Sequence, residues 1–412
     1  MNKMQTLKGF RDFLPEEAIK RQFLVEKIRK VSELMGFDPF ETPAIEYAEV
    51  LTGKYGNEAD KLLYIFEDRG KRKVGLRYDQ TVPTCRVVGQ YDLPMPFRRY
   101  QIQNVWRQEK PQQGRYREFI QVDADIFGVD TPLADGQIIE LIYKIYQELG
   151  FNKFTIKLNS REILFNIIKE SGIDEKFTFP VLQSIDKLDK INKEGVQKEL
   201  LSKNVEEEKI QKLFTAIENL KEPTGELKQV FEILPKLGID MDKIKFDPSM
   251  VRGLDYYTGT IFEVTINSYM QGSVLGGGRY NNLIKQLTGK DLVGVGFGLG
   301  FDRTLLAMDQ FNLLPKTKTV SRCLITVFAP EFLDKSLEVA TTLRENDINC
   351  EVYPDPSSKL EKQLKYADRK QIPNVLIIGS EEIKLNKVIL KNMQTKTQEL
   401  STIDKVCKLL LA

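Results

Sequence analysis

The sequence predicts an α+β chain of two or three domains, on three observations. Its 412 residues exceed what one ordinary hydrophobic core organises. Residues 161–237 are rich in Lys and Glu at helical spacing, and they interrupt flanking regions of short β-rich runs and glycine clusters. Residues 322–412 alternate strand-like and helix-like segments, the pattern of a small α/β domain with a mostly parallel sheet.

In chain order, residues 16–35 carry apolar positions at helical spacing and stop before Gly36. An extended piece around Pro43 and a short helix follow, then the β-rich runs LLYIFED and VGLRYD. Residues 97–128 read as strand, polar loop, strand; the loop EKPQQGRYR between the two strands predicts an antiparallel hairpin. Residues 133–149 predict a helix and 153–158 a strand. The charge runs of 161–237 predict solvated faces of a helical insertion. Residues 313–321 have linker character.

Composition excludes several classes. Hydrophobic residues at 41% and charged residues at 29% give the balance of a soluble globular protein. No apolar run is long enough to span a bilayer, so no membrane partner is expected. The N-terminus MNKMQTLKGFRDFLPEE has no apolar targeting core, which makes a cytoplasmic location the expectation. Cys85, Cys323, Cys350 and Cys407 form no CxxC pair, and histidine is absent. Zinc ribbons, thiol redox pairs, His-metal sites and Ser-His or Cys-His catalysis therefore drop out, and no protein-held metal is expected. The net charge of +2 decides nothing, because local patches set the field a polyanion feels.

The chemistry must run on arginines, carboxylates, amides and hydroxyls. Alternation along the second hairpin arm puts Ile120, Val122, Ala124 and Ile126 on a core face, and Phe119, Gln121, Asp123 and Asp125 on the other. Three short polar side chains in a row suit a bound polar ligand, although a solvated sheet face reads the same way. Arg107 and Glu109 share a face of the first arm, as an anion grip or as a surface ion pair. VRGLDYYTGT concentrates Arg252, Asp255, Tyr256 and Tyr257. Gly294, Gly296, Gly298 and Gly300 clear one face of an extended segment, for close approach to a ligand or to the helix that follows. That helix opens with Arg303, which needs an anion if buried. Neither GxGxxG nor a P-loop is present.

These blocks resemble the histidyl-tRNA synthetases, class II synthetases, over essentially the whole chain. The Pro43 region is similar to motif 1, LRYDQTVP (76–83) to the amino-acid-binding loop, 104–127 to motif 2, and GLGFDRTLL (298–306) to motif 3. RGLDYY (252–257) and GGGRY (276–280) resemble the two histidine-specific blocks; RGLDYY beside GRYREF (114–119) is the most specific pair. The resemblance implies an antiparallel sheet of six or seven strands flanked by helices. It places the class II catalytic domain at 1–160 and 238–312, a helical insertion at 161–237, and an anticodon-binding α/β domain at 322–412. It also implies a homodimer through motif 1, with histidine, ATP (accompanied by Mg²⁺) and tRNA(His) as ligands.

Residue by residue, the resemblance gives Asp79, Thr81 and Gln121 the α-amino group of histidine, and Asp125 and Tyr257 the imidazole, with Tyr256 beside it. Arg107 takes the ATP α-phosphate, Arg115 and Arg303 the distal phosphates, and Glu109 and Phe119 the adenine. Arg252 neutralises charge at the reacting carboxylate and phosphate. Gln112, Gln113 and Arg115 face the tRNA acceptor end. The chain departs from many bacterial members at Ile120, where they carry histidine, and at Asp79, where they carry Glu. Two rivals remain: a non-catalytic regulatory paralogue and a class II synthetase for another amino acid. The intact RGLDYY block and the C-terminal domain favour the enzyme.

Overall fold

A computed structural model describes the protein at residues 4–52, 60–112, 114–252, 257–269 and 272–411. Its contacts gather into two compact units, one built from Leu24–Leu313 with the N-terminal segment to Asp12, the other from Phe13–Phe23 with Leu314 onward. Phe13–Phe23 lies in the stretch that the sequence reading gave to the catalytic region. Inside the second unit, Arg21 stacks 3.9 Å over the Phe13 ring and Glu16 lies 3.8 Å from Lys318.

The helix Pro15–Leu34 opens with Pro at its first position and Glu16 and Glu17 in its first turn, where the helix dipole favours acid. Leu24, Ile28 and Val31 recur on one buried face. Gly36, at φ +73°, ends it by letting Phe37 N–H reach back to Ser32 O. After β1 (Asp38–Pro39), strands β2 (Ile45–Tyr47), β3 (Tyr64–Glu67) and β4 (Lys73–Leu76) make a small antiparallel sheet in the order β2-β4-β3. The predicted hairpin is β5 (Phe97–Trp106) with β6 (Glu118–Phe127), paired from Phe97↔Phe127 to Trp106↔Glu118.

Strands β7 (Phe154–Ser160), β8 (Ile244–Phe246), β9 (Thr260–Ile266), β10 (Leu275–Arg279) and β11 (Gly294–Gly300) complete the main sheet. Among the described residues it has eight strands in the order β1-β5-β6-β11-β10-β9-β7-β8, antiparallel except at its edges, where β1–β5 and β7–β8 are parallel. Six or seven were expected. The edge strands have two and three residues, too short for any alternation to show in the sequence.

The helix Pro132–Glu148 is N-capped by Thr131 and packs Ile138, Ile139, Leu141, Ile142 and Ile145 into the core beside β6 and β11. Each such side chain contributes about 1.5–3 kcal/mol by leaving water, and truncating Ile139 to Ala would cost about 2–5 kcal/mol. Residues 161–237 are helical as read, including Arg161–Glu170, Leu188–Ser202 and Glu207–Asn219. Exposed pairs such as Lys212–Glu208 and Lys193–Glu218 show its charges to be solvated faces.

In the C-terminal unit, β12 (Cys323–Ile325), β13 (Cys350–Val352), β14 (Asn374–Ile377), β15 (Val388–Asn392) and β16 (Gln398–Ser401) form a sheet in the order β13-β12-β14-β15-β16. β12 pairs parallel with β13 and β14, but β14–β15 and β15–β16 are antiparallel. "Mostly parallel" is therefore corrected to half parallel. β16, with the sequence QELS and three exposed positions, is a polar edge strand that no apolar alternation announces. Among the described residues, no helix is long and apolar enough to cross a membrane.

Candidate active site

The register of five adjacent strands builds the site. Opposite residues of an antiparallel pair share a face, so the pairings can be read across the sheet as rows. One row runs Arg99, Asp125, Gly296, Gly278, Ile261; the next runs Gln101, Asp123, Gly298, Gly276, Glu263. Four glycines thus floor a trough whose walls are the side chains of β6 and of β9, about 14 Å apart at three strand spacings. What lies over the floor needs that absence of side chains. A Cβ on Gly276 would be 2.2 Å from the Arg252 guanidinium, and one on Gly278 would be 3.0 Å from the Tyr257 ring. A Cβ on Gly296 would be 1.8 Å from an Asp125 oxygen. The clearance foreseen in β11 is therefore taken chiefly by side chains of the neighbouring strand, not by the following helix.

The β6 wall is buried and polar. Asp123 and Asp125 are 2% and 3% exposed, which rules out the solvated-face reading of that strand. Arg99, itself fully buried, places Nη2 2.5 Å from Asp125 Oδ2 and 4.0 Å from Asp123 Oδ2. The Tyr280 hydroxyl donates to the other oxygen of Asp125. Gln121 Nε2 donates to Asp123 at 2.8 Å, and the Thr81 hydroxyl donates at 3.4 Å. Burial raises both carboxyls above their ordinary range against the pull of Arg99, Asp123 to about 7. Burial likewise pushes the Tyr280 phenol well up, with Asp125 adding to it. Asp79 accepts from Val82 N–H at 3.1 Å near the start of the helix Thr81–Gln90.

Arginines line the rest of the site. Arg252 Nη1 lies 3.2 Å from Glu263, and its carbonyl accepts from Arg161 Nη2 at 2.7 Å. Arg107 donates to Tyr78 O and Gln121 Oε1, with its guanidinium 4.3 Å over the Tyr78 ring and 5.1 Å over Phe119. Arg107 and Glu109 lie beyond the last residue of β5, Trp106, so they belong to the hairpin loop and not to a strand face as read. Arg115 is exposed, 4.0 Å from Glu109, in a tight turn closed by its N–H to Gln112 O. Arg303, half-buried, donates to Ser273 O; burial first, then the nearby charges of Arg115 and Arg252, depress its pKa. Clustered, mutually repelling guanidiniums are a site waiting for a polyanion.

Tyr256 and Gln113 lie outside the described residues. Ile120 is half-buried on the face of β6 opposite Asp123. The sequence reading missed Arg99, Arg161 and Glu263, and Arg11, which pairs with Asp302 at 2.9 Å and stacks 3.2 Å over Tyr116 of the hairpin loop. Asp123 and Tyr280 were in view there but given no role. The glycine rows were the signal for all that lies over the floor; nothing in sequence spacing points to Arg99.

Comparison with known proteins adds the family. The family model described as histidyl-tRNA synthetase matches residues 9–304, and an anticodon binding domain matches residues 318–412. The chain belongs to the histidyl-tRNA synthetase family. A relative from Cytophaga hutchinsonii, a histidine–tRNA ligase, is 39% identical over 98% of this chain and 99% of its own. The crystal structure of histidyl-tRNA synthetase from Nostoc sp. PCC 7120 superposes with a TM-score of 0.88 at 28% identity, covering 100% of this chain and 99% of that one. An ATP phosphoribosyltransferase regulatory subunit/histidyl-tRNA synthetase from Bacillus halodurans C shares the fold, with a TM-score of 0.74 at 23% identity over 88% of this chain and 96% of its own.

Proposed function

We propose that this chain activates histidine with ATP and transfers it to the 3′-terminal ribose of tRNA(His). The observation that carries the reading is the glycine-floored trough, with carboxylates on one wall and Arg252 lying across the floor from them. Histidine enters with its imidazole between Asp125 and Tyr257. An apolar amino acid would leave Asp125 buried without its ligand contact, at a cost of about 1–3 kcal/mol. Its carboxylate meets Arg252, and Asp79, Thr81 and Gln121 surround the α-amino group.

The carboxylate oxygen attacks the ATP α-phosphorus and pyrophosphate leaves. Proton transfer is not needed; positioning and positive charge are. Arg252 and Arg107 supply that charge at the reacting centre, and Arg115 and Arg303 at the distal phosphates, while Phe119 and Glu109 hold adenine. In the second step the ribose hydroxyl attacks the carbonyl carbon of the adenylate, the bond to the phosphate oxygen breaks and AMP leaves, and a phosphate oxygen of that AMP takes the hydroxyl proton. Among the described residues no group of three or more Asp, Glu or Cys side chains can hold a metal. Mg²⁺ would arrive with ATP, held by its phosphates and by water, and no step here rests on it.

The same reading makes 322–412 the anticodon-binding part, 1–160 with 238–312 the catalytic part, and the protein a cytoplasmic homodimer. Ile45 and Tyr47 of the edge strand β2, beside Pro43, are about half exposed and suit a dimer face. The test is ATP–pyrophosphate exchange with each of the twenty amino acids, repeated with Arg252→Ala. Exchange with histidine alone, lost in the variant, is expected. No exchange from folded protein would leave a non-catalytic binder.

A further inference from the structure

Asp123 is the carboxylate that the assigned roles leave over, and its surroundings lack something. It is fully buried on β6, between Gln121 and Asp125 on the trough face. Its hydrogen-bond donors, Gln121 and Thr81, are neutral. Its closest cation among the described residues is Arg99 at 4.0 Å, and Arg99 is committed to Asp125 at 2.5 Å. A buried carboxylate without a close counter-charge is costly, and such a cost persists where a cationic ligand relieves it.

Position identifies that ligand. Asp123 shares its row with Gly298, Gly276 and Glu263, and the guanidinium of Arg252 occupies the space above Gly276. A carboxylate and a guanidinium therefore face each other across two glycines, which is the complement of an amino-acid zwitterion. The imidazole row, Asp125 and Gly278 with Tyr257 above it, lies two residues further along the strands, about 6.7 Å away. A histidine side chain spans that offset. Asp79, the acid nearest in role, already caps a helix start through Val82 N–H.

We propose that Asp123 is a further substrate-reading residue, whose carboxylate receives the α-ammonium of histidine while Arg252 receives the α-carboxylate. This rests on the histidine-activating reading above. It adds that the ammonium is recognised by charge from the β6 wall, with Thr81 and Gln121 orienting Asp123 toward it.

The test compares wild type with Asp123→Asn and Asp123→Glu, using three probes. Histidine carries both charged groups, histidinol keeps the ammonium and lacks the carboxylate, and imidazolelactate has a hydroxyl in place of the ammonium. In pyrophosphate exchange, Asp123→Asn should raise the KM for histidine and the inhibition constant of histidinol tenfold or more. The inhibition constant of imidazolelactate and the KM for ATP should stay within about twofold. Asp123→Glu, which keeps the charge, should recover part of the loss. Equal weakening of all three probes would reduce Asp123 to a structural role, and unchanged histidine and histidinol would remove it from the site; either overturns the proposal. Wild type that neither exchanges nor binds histidine would overturn the parent reading as well, and is told apart by needing no variant.

Discussion

Arg252 lies across Gly276, with its guanidinium carbon only 2.2 Å from where a Cβ at 276 would stand. The three atoms nearest that Cβ all belong to the mobile end of one side chain, so the sheet need not yield; Arg252 must. Glu263 at 3.2 Å and Arg161 on its carbonyl then hold a guanidinium that no longer fits.

Gly276→Ala should therefore uncouple catalysis from folding. We expect kcat for histidine-dependent exchange to fall about 10²–10³-fold, the loss typical of misplacing one group that stabilises developing charge. The melting transition should change by less than about 1 kcal/mol. Gly296→Ala is the contrast, because its Cβ would meet Ala124 O at 2.6 Å as well as Asp125, and backbone cannot swing away. That variant should lose stability first. Thermal melts beside exchange rates separate the two; equal destabilisation by both would refute the argument.

Tyr280→Phe removes the hydroxyl that donates to Asp125 and little else, since the ring still packs edge-on against Phe127 at 6.1 Å. A hydrogen bond to a buried charged group is worth about 1.5–3 kcal/mol, so the melting free energy should drop by that order. Asp125 then turns on Arg99 alone, and the KM for histidine should rise with the KM for ATP unchanged. Denaturant melts and exchange kinetics at varied histidine check both parts.

How much of this was legible in advance follows from range. The hairpin, the insertion helices and the glycine rows are local patterns, and period and spacing display them. The polar row of β6 was visible as alternation, but its burial was not, because burial depends on β5 and β11 lying alongside. Arg99 pairs with Asp125 from 26 positions away, and Tyr280 from 155 away, so neither has a spacing rule. Over residues 322–412 acidic and basic residues nearly balance, so the sequence shows no basic footprint there. The fold, however, gathers Lys362, Lys365, Arg369 and Lys370 around Tyr353 and Tyr366.

That gathering carries the next prediction. Basic groups around aromatic rings suit an unstacked RNA base and its phosphates. Within the cluster, Lys370 and the Tyr366 hydroxyl lean on Glu351, and Lys365 on Glu361 at 2.7 Å. Lys362→Glu with Arg369→Glu should raise the KM for tRNA at least tenfold and flatten its dependence on salt. Pyrophosphate exchange, which needs no tRNA, should be unchanged. A parallel fall in exchange would show that the substitutions damage the fold instead.

The last prediction concerns pH. Burial raises Asp123 from 3.8 to about 7, opposed by Arg99 on β5 and reinforced by Asp125 on β6 and Asp79 from the preceding loop; the facing positions of β11 are glycines and add no charge. The folded pKa lies above the unfolded one. Asp123 therefore favours the fold fully only below about pH 4, and that contribution is lost as pH rises through about 7. The whole span is worth on the order of 4 kcal/mol. Asp123→Asn removes the titration, so the variant should gain stability over wild type steadily from about pH 4 to about pH 7 and level off above that, read as the difference in denaturant midpoint. Saturating histidine should shrink that difference in wild type, because an ammonium beside Asp123 restores favour to the ionised form. A difference that is flat with pH, in the absence of histidine, would mean that Asp123 is ionised throughout and that its counter-charge is already built into the protein.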